Sequence, residues 1–171
     1  SHGDSRIHRA AIGEGDFYTP YALRSYERFR ELEHDSGLNI LTSNGALIMV
    51  SQNDRSVLHG HGDFLGETIK AAKRFKDHIP DYKILDTAEI HRRFPQFNLV
   101  GDEVGYYEPT AGFLRPENAI RAELGLASKL GAEIVTNQKV LDIIPRGDQV
   151  KVRTSEGDYY AEKVILSVGS W

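Results

Sequence analysis

His2, Arg6, His8, Arg9 and Glu14 crowd into the first fifteen residues, Ser1-His-Gly-Asp-Ser-Arg-Ile-His-Arg-Ala-Ala-Ile-Gly-Glu-Gly15. If this segment coils helically, Arg6 and Arg9 face one side, where two guanidinium groups could grip a carboxylate or phosphate by charge-assisted hydrogen bonds. Glu14 is the first acid after them and a ready partner for whichever arginine is unoccupied. Gly3, Gly13 and Gly15 free the backbone to turn sharply or to pass close to something flat. The competing reading is a solvated terminus, partly a tag remnant.

Other groupings carry less chemistry. His59-Gly-His61-Gly-Asp63 sets three metal-capable side chains at alternate positions, although flexible glycines pre-organise no site. Tyr106, Tyr107 and Glu108 could reach an active site, but adjacent tyrosines on a strand more often divide into one core ring and one surface ring. Glu67, Lys70, Lys73, Arg74 and Lys76 read as a solvated helix face. No acidic pair has a spacing that suggests a hydrolase.

The chain has 171 residues, 40% hydrophobic and 27% charged, which suits one core rather than two independent ones. With no cysteine, disulfides, thiolate catalysis and cysteine-ligated metals are excluded from this chain. A net charge of -4 argues against a general nucleic-acid surface. No apolar run approaches a membrane span, so membrane insertion is not indicated; the expected location is cytoplasmic, peroxisomal if eukaryotic. The opening without methionine, and the stop just after the apolar run Val164 to Val168, suggest an internal fragment.

The elements that must position these residues follow from periodicity. A helix is predicted from Thr19 to Asp35, with Pro20 in its first turn, Tyr21, Leu23, Tyr26, Phe29 and Leu32 at roughly helical spacing, and Gly37 as its stop. Asn39 to Thr42 and Ala46 to Ser51 read as strands joined by a hairpin at Asn44-Gly45. Phe64 to His78 should be a second helix ended by Pro80. Tyr82 to Leu85 reads as a short strand, and Asp86-Thr-Ala-Glu89 opens a short helix in the manner of a capping box. Val104 to Tyr107 is a further strand. Pro116 opens a third long helix with Ile120, Leu124 and Leu130 inward and Gly131 as its stop. Strands at 133–136, 140–144, 149–154, 159–161 and 164–168 follow, the middle ones as an antiparallel meander and the last buried.

Ser1 to Arg9, Gly13-Glu-Gly15 with Tyr18-Thr-Pro20, Gly112-Phe-Leu-Arg-Pro-Glu117 and Leu166-Ser-Val-Gly-Ser-Trp171 together resemble the monomeric sarcosine oxidase and N-methyltryptophan oxidase group. That group belongs to the D-amino-acid-oxidase-like FAD-dependent oxidoreductases. The resemblance runs through the chain in order and implies a mixed α/β (α+β) fragment of a two-domain enzyme. Residues 1–35 and 113–171 would belong to the FAD-binding domain, with part of its sheet and its β-meander. Residues 36–112 would belong to the substrate domain, with part of its antiparallel or mixed sheet. The Gly-x-Gly-x-x-Gly turn with which the family holds the FAD pyrophosphate does not occur here.

By this resemblance the cofactor is FAD, expected in the full-length protein and not in this fragment alone. His2, Gly3 and Arg6 would lie against the flavin, Arg9 would bind the substrate carboxylate, and Glu14 would be its alternative partner. Val140 would meet the adenine, and Ser167, Val168, Gly169 and Trp171 would pass the cofactor. His8 stands where the family more often has an aliphatic residue. The implied reaction moves a hydride from the N-methyl carbon of a small carboxylate-bearing amine to FAD and then to oxygen. A related dehydrogenase with another acceptor and a non-catalytic binding module are the alternatives. Pairing of an unprotected sheet edge could make the fragment self-associate.

Overall fold

The computed structural model describes residues 3–52, 54 and 62–169. It divides into two compact units, Ser1–Leu130 and Gly131–Trp171. In the first unit β1 (Arg6–His8) leads through a single 3-10 turn, Asp16–Tyr18, into α1 (Thr19–Ser36). Gly37 ends α1 with φ 72°, the left-handed conformation that glycine adopts at no steric cost. Of the predicted apolar set, Leu23, Tyr26, Phe29 and Leu32 are half-buried, while Tyr21 is 73% exposed. Tyr21 lies about 200° around the helix from Leu23, so it cannot share that face.

The predicted hairpin at Asn44-Gly45 does not form. β2 (Leu41–Ser43) and β3 (Ala46–Ser51) are both present, but they ladder into different sheets, with orders β1-β6-β2 and β3-β5-β4. The chain crosses between sheets at Gly45, whose φ is 83° and whose N–H donates to the Ala111 carbonyl at 2.9 Å. A side chain there would run into the Tyr107 ring. β2 also starts later than predicted, because the N–H groups of Ile40 and Leu41 are taken by the Glu33 carboxylate at 2.7 and 2.8 Å.

α2 (Phe64–Arg74) is capped by Asp63, which accepts from Gly66 N at 2.9 Å. It ends four residues before the predicted His78; the chain then turns through hydrogen bonds to the Phe75 carbonyl toward Pro80. β4 (Lys83–Asp86) feeds α3 (Thr87–Arg93) through the predicted capping box of Asp86 and Glu89. β5 (Glu103–Glu108) is the central strand of its sheet, antiparallel to β3 and β4, and β6 (Gly112–Leu114) is central in the other. A Cβ on Gly112 would overlap the Thr42 carbonyl, so only glycine lets β2 lie this close to β6. The core gathers Ala10, Ala11, Leu65, Ala71, Ala72, Ile79 and Tyr106 between α2 and the β5 sheet.

α4 (Pro116–Lys129) packs on α1 through a face whose buried member is Ala122. Its predicted inward residues Ile120, Leu124 and Leu130 are exposed, Leu130 at 89%. The spacing marked an apolar stripe, but the contact with α1 uses the neighbouring small side.

The second unit holds the predicted meander, β7 (Val140–Arg146), β8 (Gln149–Thr154) and β9 (Asp158–Ala161), in order. Gly147 opens the first turn with φ 63°, as a two-residue II′ connection requires. The second turn is closed by the Thr154 hydroxyl, which donates to the Gly157 carbonyl at 2.8 Å and accepts from Glu156 N and Gly157 N. Two further predicted strands are absent: 133–136 and 164–168 are irregular, and Ile165 is 91% exposed rather than buried. A β-prone run becomes a strand only against a partner, and neither run has one among the described residues. None of the described helices is long and apolar enough to cross a membrane.

Candidate functional site

The charged opening segment is built in from Arg6 onward. β1 pairs with β6, Arg6 opposite Leu114 and His8 opposite Gly112, so the segment is extended and not helically coiled. A spacing of three in an extended chain does not bring Arg6 and Arg9 to one side. β1 leaves Arg6 and Ile7 on the surface, Ile7 at 78%, and turns His8 inward. The Arg6 guanidinium bends back to donate to the carbonyls of Gly3 at 3.2 Å and Ser5 at 2.7 Å. A Cβ at Gly3 would lie 3.3 Å from Arg6 Nη1, so Gly3 lets the guanidinium come close to the backbone. A backbone-held cation beside an open glycine fits a flat ring that gains negative charge, and in that sense Gly3 and Arg6 fit a flavin.

Arg9 and Glu14 do come together. Arg9 Nη2 donates to Glu14 Oε2 at 2.6 Å, and both line an open groove of about 560 Å³ with Ile12, Tyr18, Tyr21, Ala22 and Ser25. The guanidinium lies 5.3 Å from the centre of the Phe64 ring, and its Nε is buried with no hydrogen-bond partner. A buried, unanswered donor on a cation is costly. Gly13 closes the loop against α2: a Cβ there would fall 2.7 Å from the Phe64 carbonyl. Arg74 of α2 pairs with Asp16 at 2.6 Å and fastens the far end.

His8 is buried between β1 and α1, against Tyr26 and Phe29 at ring separations of 5.9 and 6.0 Å. The Ser25 hydroxyl donates to the Ala22 carbonyl at 2.8 Å, so its oxygen is left to accept from His8 Nε2 at 3.1 Å. Burial holds the His8 pKa below its ordinary value, the Arg30 charge adds to that, and a hydrogen bond to the Ala22 backbone opposes it. His8 also borders a cavity of about 310 Å³ with Leu23, Tyr26, His78, Pro80 and Glu108.

His2, Trp171, His59 and His61 fall outside the described residues, while Asp63 serves as the α2 cap. Among the described residues, no three His, Asp or Glu side chains gather as metal ligands. In the second unit Val140 opens β7, exposed and opposite Thr154. Ser167, Val168 and Gly169 form an exposed stretch in which Gly169 has φ 64°. Sequence reasoning missed Ile12, Tyr18, Tyr21 and Ser25 as cavity walls. The signal was available for Tyr21, an aromatic residue off the apolar face of its helix. Of the paired tyrosines, Tyr106 is the core ring, and Glu108 is buried with it.

The family described as DAO, FAD dependent oxidoreductase, matches residues 1–171. The monomeric sarcosine oxidase of Bacillus sp. (strain B-0618) is 38% identical over 170 residues, 99% of this chain and 41% of that protein. The N-methyl-L-tryptophan oxidase of Citrobacter koseri is 32% identical over 170 residues, 99% of this chain and 43% of that protein. The chain thus spans about two fifths of the length of these relatives. Among solved structures, NikD, an unusual amino acid oxidase essential for nikkomycin biosynthesis, superposes with a TM-score of 0.77 at 23% identity, over 95% of this chain and 39% of that one. L-proline dehydrogenase from P. horikoshii gives 0.69 at 17%, over 88% and 37%. These two likenesses establish the fold.

Proposed function

This chain belongs to the DAO family of FAD-dependent oxidoreductases, and on that premise we propose that it is part of an FAD-dependent oxidase of N-methyl or other secondary amino acids. The observation that carries the reading is Arg9: a cation on the wall of an open groove, paired there with Glu14 at 2.6 Å. Arg9 would bind the substrate carboxylate, and Glu14 would hold the guanidinium in place while the cavity is empty. Tyr18 and Tyr21 would flank the substrate. FAD, when bound, supplies the acceptance of a hydride from the N-methyl carbon and its passage to oxygen. Gly3 and Arg6, with His2, would lie against its ring, and Val140, Ser167, Val168, Gly169 and Trp171 would follow the rest of the cofactor. Residues 1–35 and 113–171 would belong to the FAD-binding domain and 36–112 to the substrate domain.

The test is a screen of the complete FAD-loaded enzyme, mixed without oxygen with sarcosine, N-methyl-L-tryptophan, proline and other N-alkyl amino acids. Bleaching of the flavin absorbance by at least one of them is expected, and no bleaching by any overturns the reading. Release of hydrogen peroxide in air then separates an oxidase from a dehydrogenase.

A further inference from the structure

Glu108 is separated by 98 residues from Ala10, yet its carboxylate accepts the Ala10 N–H at 2.7 Å and the Ala11 N–H at 3.1 Å. Tyr106, two residues back on β5, donates its hydroxyl to the same group at 3.0 Å. Glu108 is 1% exposed, and Ala10, Ala11 and Tyr106 are buried with it. Burying a carboxylate is expensive unless its oxygens are filled, and here, among the described residues, three donors fill them rather than an ion-paired cation. The β5 sheet does not need this charge, because β5 is already laddered on both sides by β3 and β4. The charge fastens the loop instead. Ala10 and Ala11 follow Arg9 directly, so their two N–H groups fix the backbone from which the guanidinium departs. Burial and the Glu108 charge push the Tyr106 pKa far up, so its hydroxyl stays a donor, and Arg9 is near enough to oppose that shift electrostatically.

We infer that Glu108 is a positioning residue for Arg9: clamping the Ala10 and Ala11 N–H groups, it holds the loop so that the guanidinium meets the substrate carboxylate without reorganising. The inference rests on the proposed reading of Arg9 as the carboxylate anchor. Glutamine has the same shape but only one accepting oxygen, and its amide NH2 would face an N–H donor, so Glu108→Gln should release one side of the clamp.

The test uses the complete FAD-loaded enzyme and two unreactive probes, propionate and its uncharged counterpart propionamide, titrated by their effect on the flavin absorbance. Glu108→Gln should bind propionate about tenfold more weakly, with propionamide binding, FAD content and the limiting rate of flavin reduction unchanged. Arg9→Ala is measured in parallel. If Arg9→Ala binds propionate as the wild type does, the anchor reading fails and the inference with it. If Arg9→Ala loses propionate while Glu108→Gln keeps it, the Glu108 inference alone is overturned. Equal weakening of both probes also overturns it, because general loosening would not select the charged one. Should Glu108→Gln not accumulate as folded protein, Tyr106→Phe decides: about threefold weaker propionate binding supports the clamp, and unchanged binding overturns it.

Discussion

Arg9 presents a cation whose hydrogen-bonding capacity is only partly used, with Glu14 on Nη2 and nothing on Nε. Arg9→Ala in the FAD-loaded enzyme should therefore weaken binding of carboxylate substrates by about 1.5–3 kcal/mol, the worth of a charged hydrogen bond, and leave FAD content intact. Arg6, folded onto the carbonyls of Gly3 and Ser5 outside that cavity, should differ: Arg6→Ala is expected to slow flavin reduction more than it raises KM. Rapid-mixing kinetics of the two variants separates these outcomes, and equal losses of affinity would refute the division. His8 carries a pH prediction. Its folded pKa lies below the ordinary 6.5 because burial disfavours the charged ring. At pH values between the two, the unfolded chain binds the proton that the folded chain refuses, so this stability is fully present above 6.5 and is lost as pH falls through the folded pKa. The charged and titratable groups around the ring are Arg30 and Tyr26 on α1, and Glu108 and His78 across the cavity. His8→Leu should flatten the fall of the unfolding midpoint between pH 7.5 and 5 relative to wild type; parallel curves would refute it. That Glu14 would pair with an arginine of the opening segment was legible from residue types and spacing, and that the arginine is Arg9 came from the family resemblance. The Glu108 clamp was not, because its two partners are backbone amides, which no side-chain pattern announces.

Elements were legible where local chemistry fixes them. Asp86 and Glu89 announce the start of α3, and Gly37 the end of α1, because a cap or a left-handed stop is a property of a few adjacent residues. Pairing between elements was less so. Asn44-Gly45 has the composition of a hairpin turn, yet Gly45 instead carries the chain past Tyr107 from one sheet to the next, which only the long-range partners β5 and β6 determine. The apolar stripe of α4 likewise says that a face exists, not that Ala122 marks the contact. Two glycines test this difference. At Gly112 an added Cβ would overlap the Thr42 backbone, so Gly112→Ala should destabilise by about 1–3 kcal/mol or prevent folding. At Gly125, exposed on α4 with nothing near a Cβ, Gly125→Ala should stabilise by about 0.5–1 kcal/mol through helix propensity. Chemical denaturation of both reads the two signs, and a neutral Gly112→Ala would show that β2 can move away from β6.

At the scale of the whole molecule, the 171-residue chain by itself should be colourless and should self-associate. The most charged part of FAD, its pyrophosphate, is held in this family by backbone N–H groups of a Gly-x-Gly-x-x-Gly turn, and that motif does not occur in the sequence. Arg6 and Gly3 can meet a ring, but a ring contact without the pyrophosphate grip leaves binding weak. The same chain exposes apolar side chains at Ile165, Leu166 and Val168, and also at Leu130 and Ile134. A β-prone apolar run with no laddered partner has unanswered N–H and C=O groups as well as apolar surface, and a second copy can satisfy both by edge pairing. Charge would not prevent this, since a net charge of -4 on 171 residues is modest. Sedimentation of the purified chain over a concentration series should show a dimer or larger species that Leu166→Lys shifts toward monomer. A monomer at all concentrations would remove the edge-pairing argument. A flavin band near one equivalent would remove the pyrophosphate argument, and would mean that Arg6, Val140 and residues 167–169 grip the cofactor without a glycine turn.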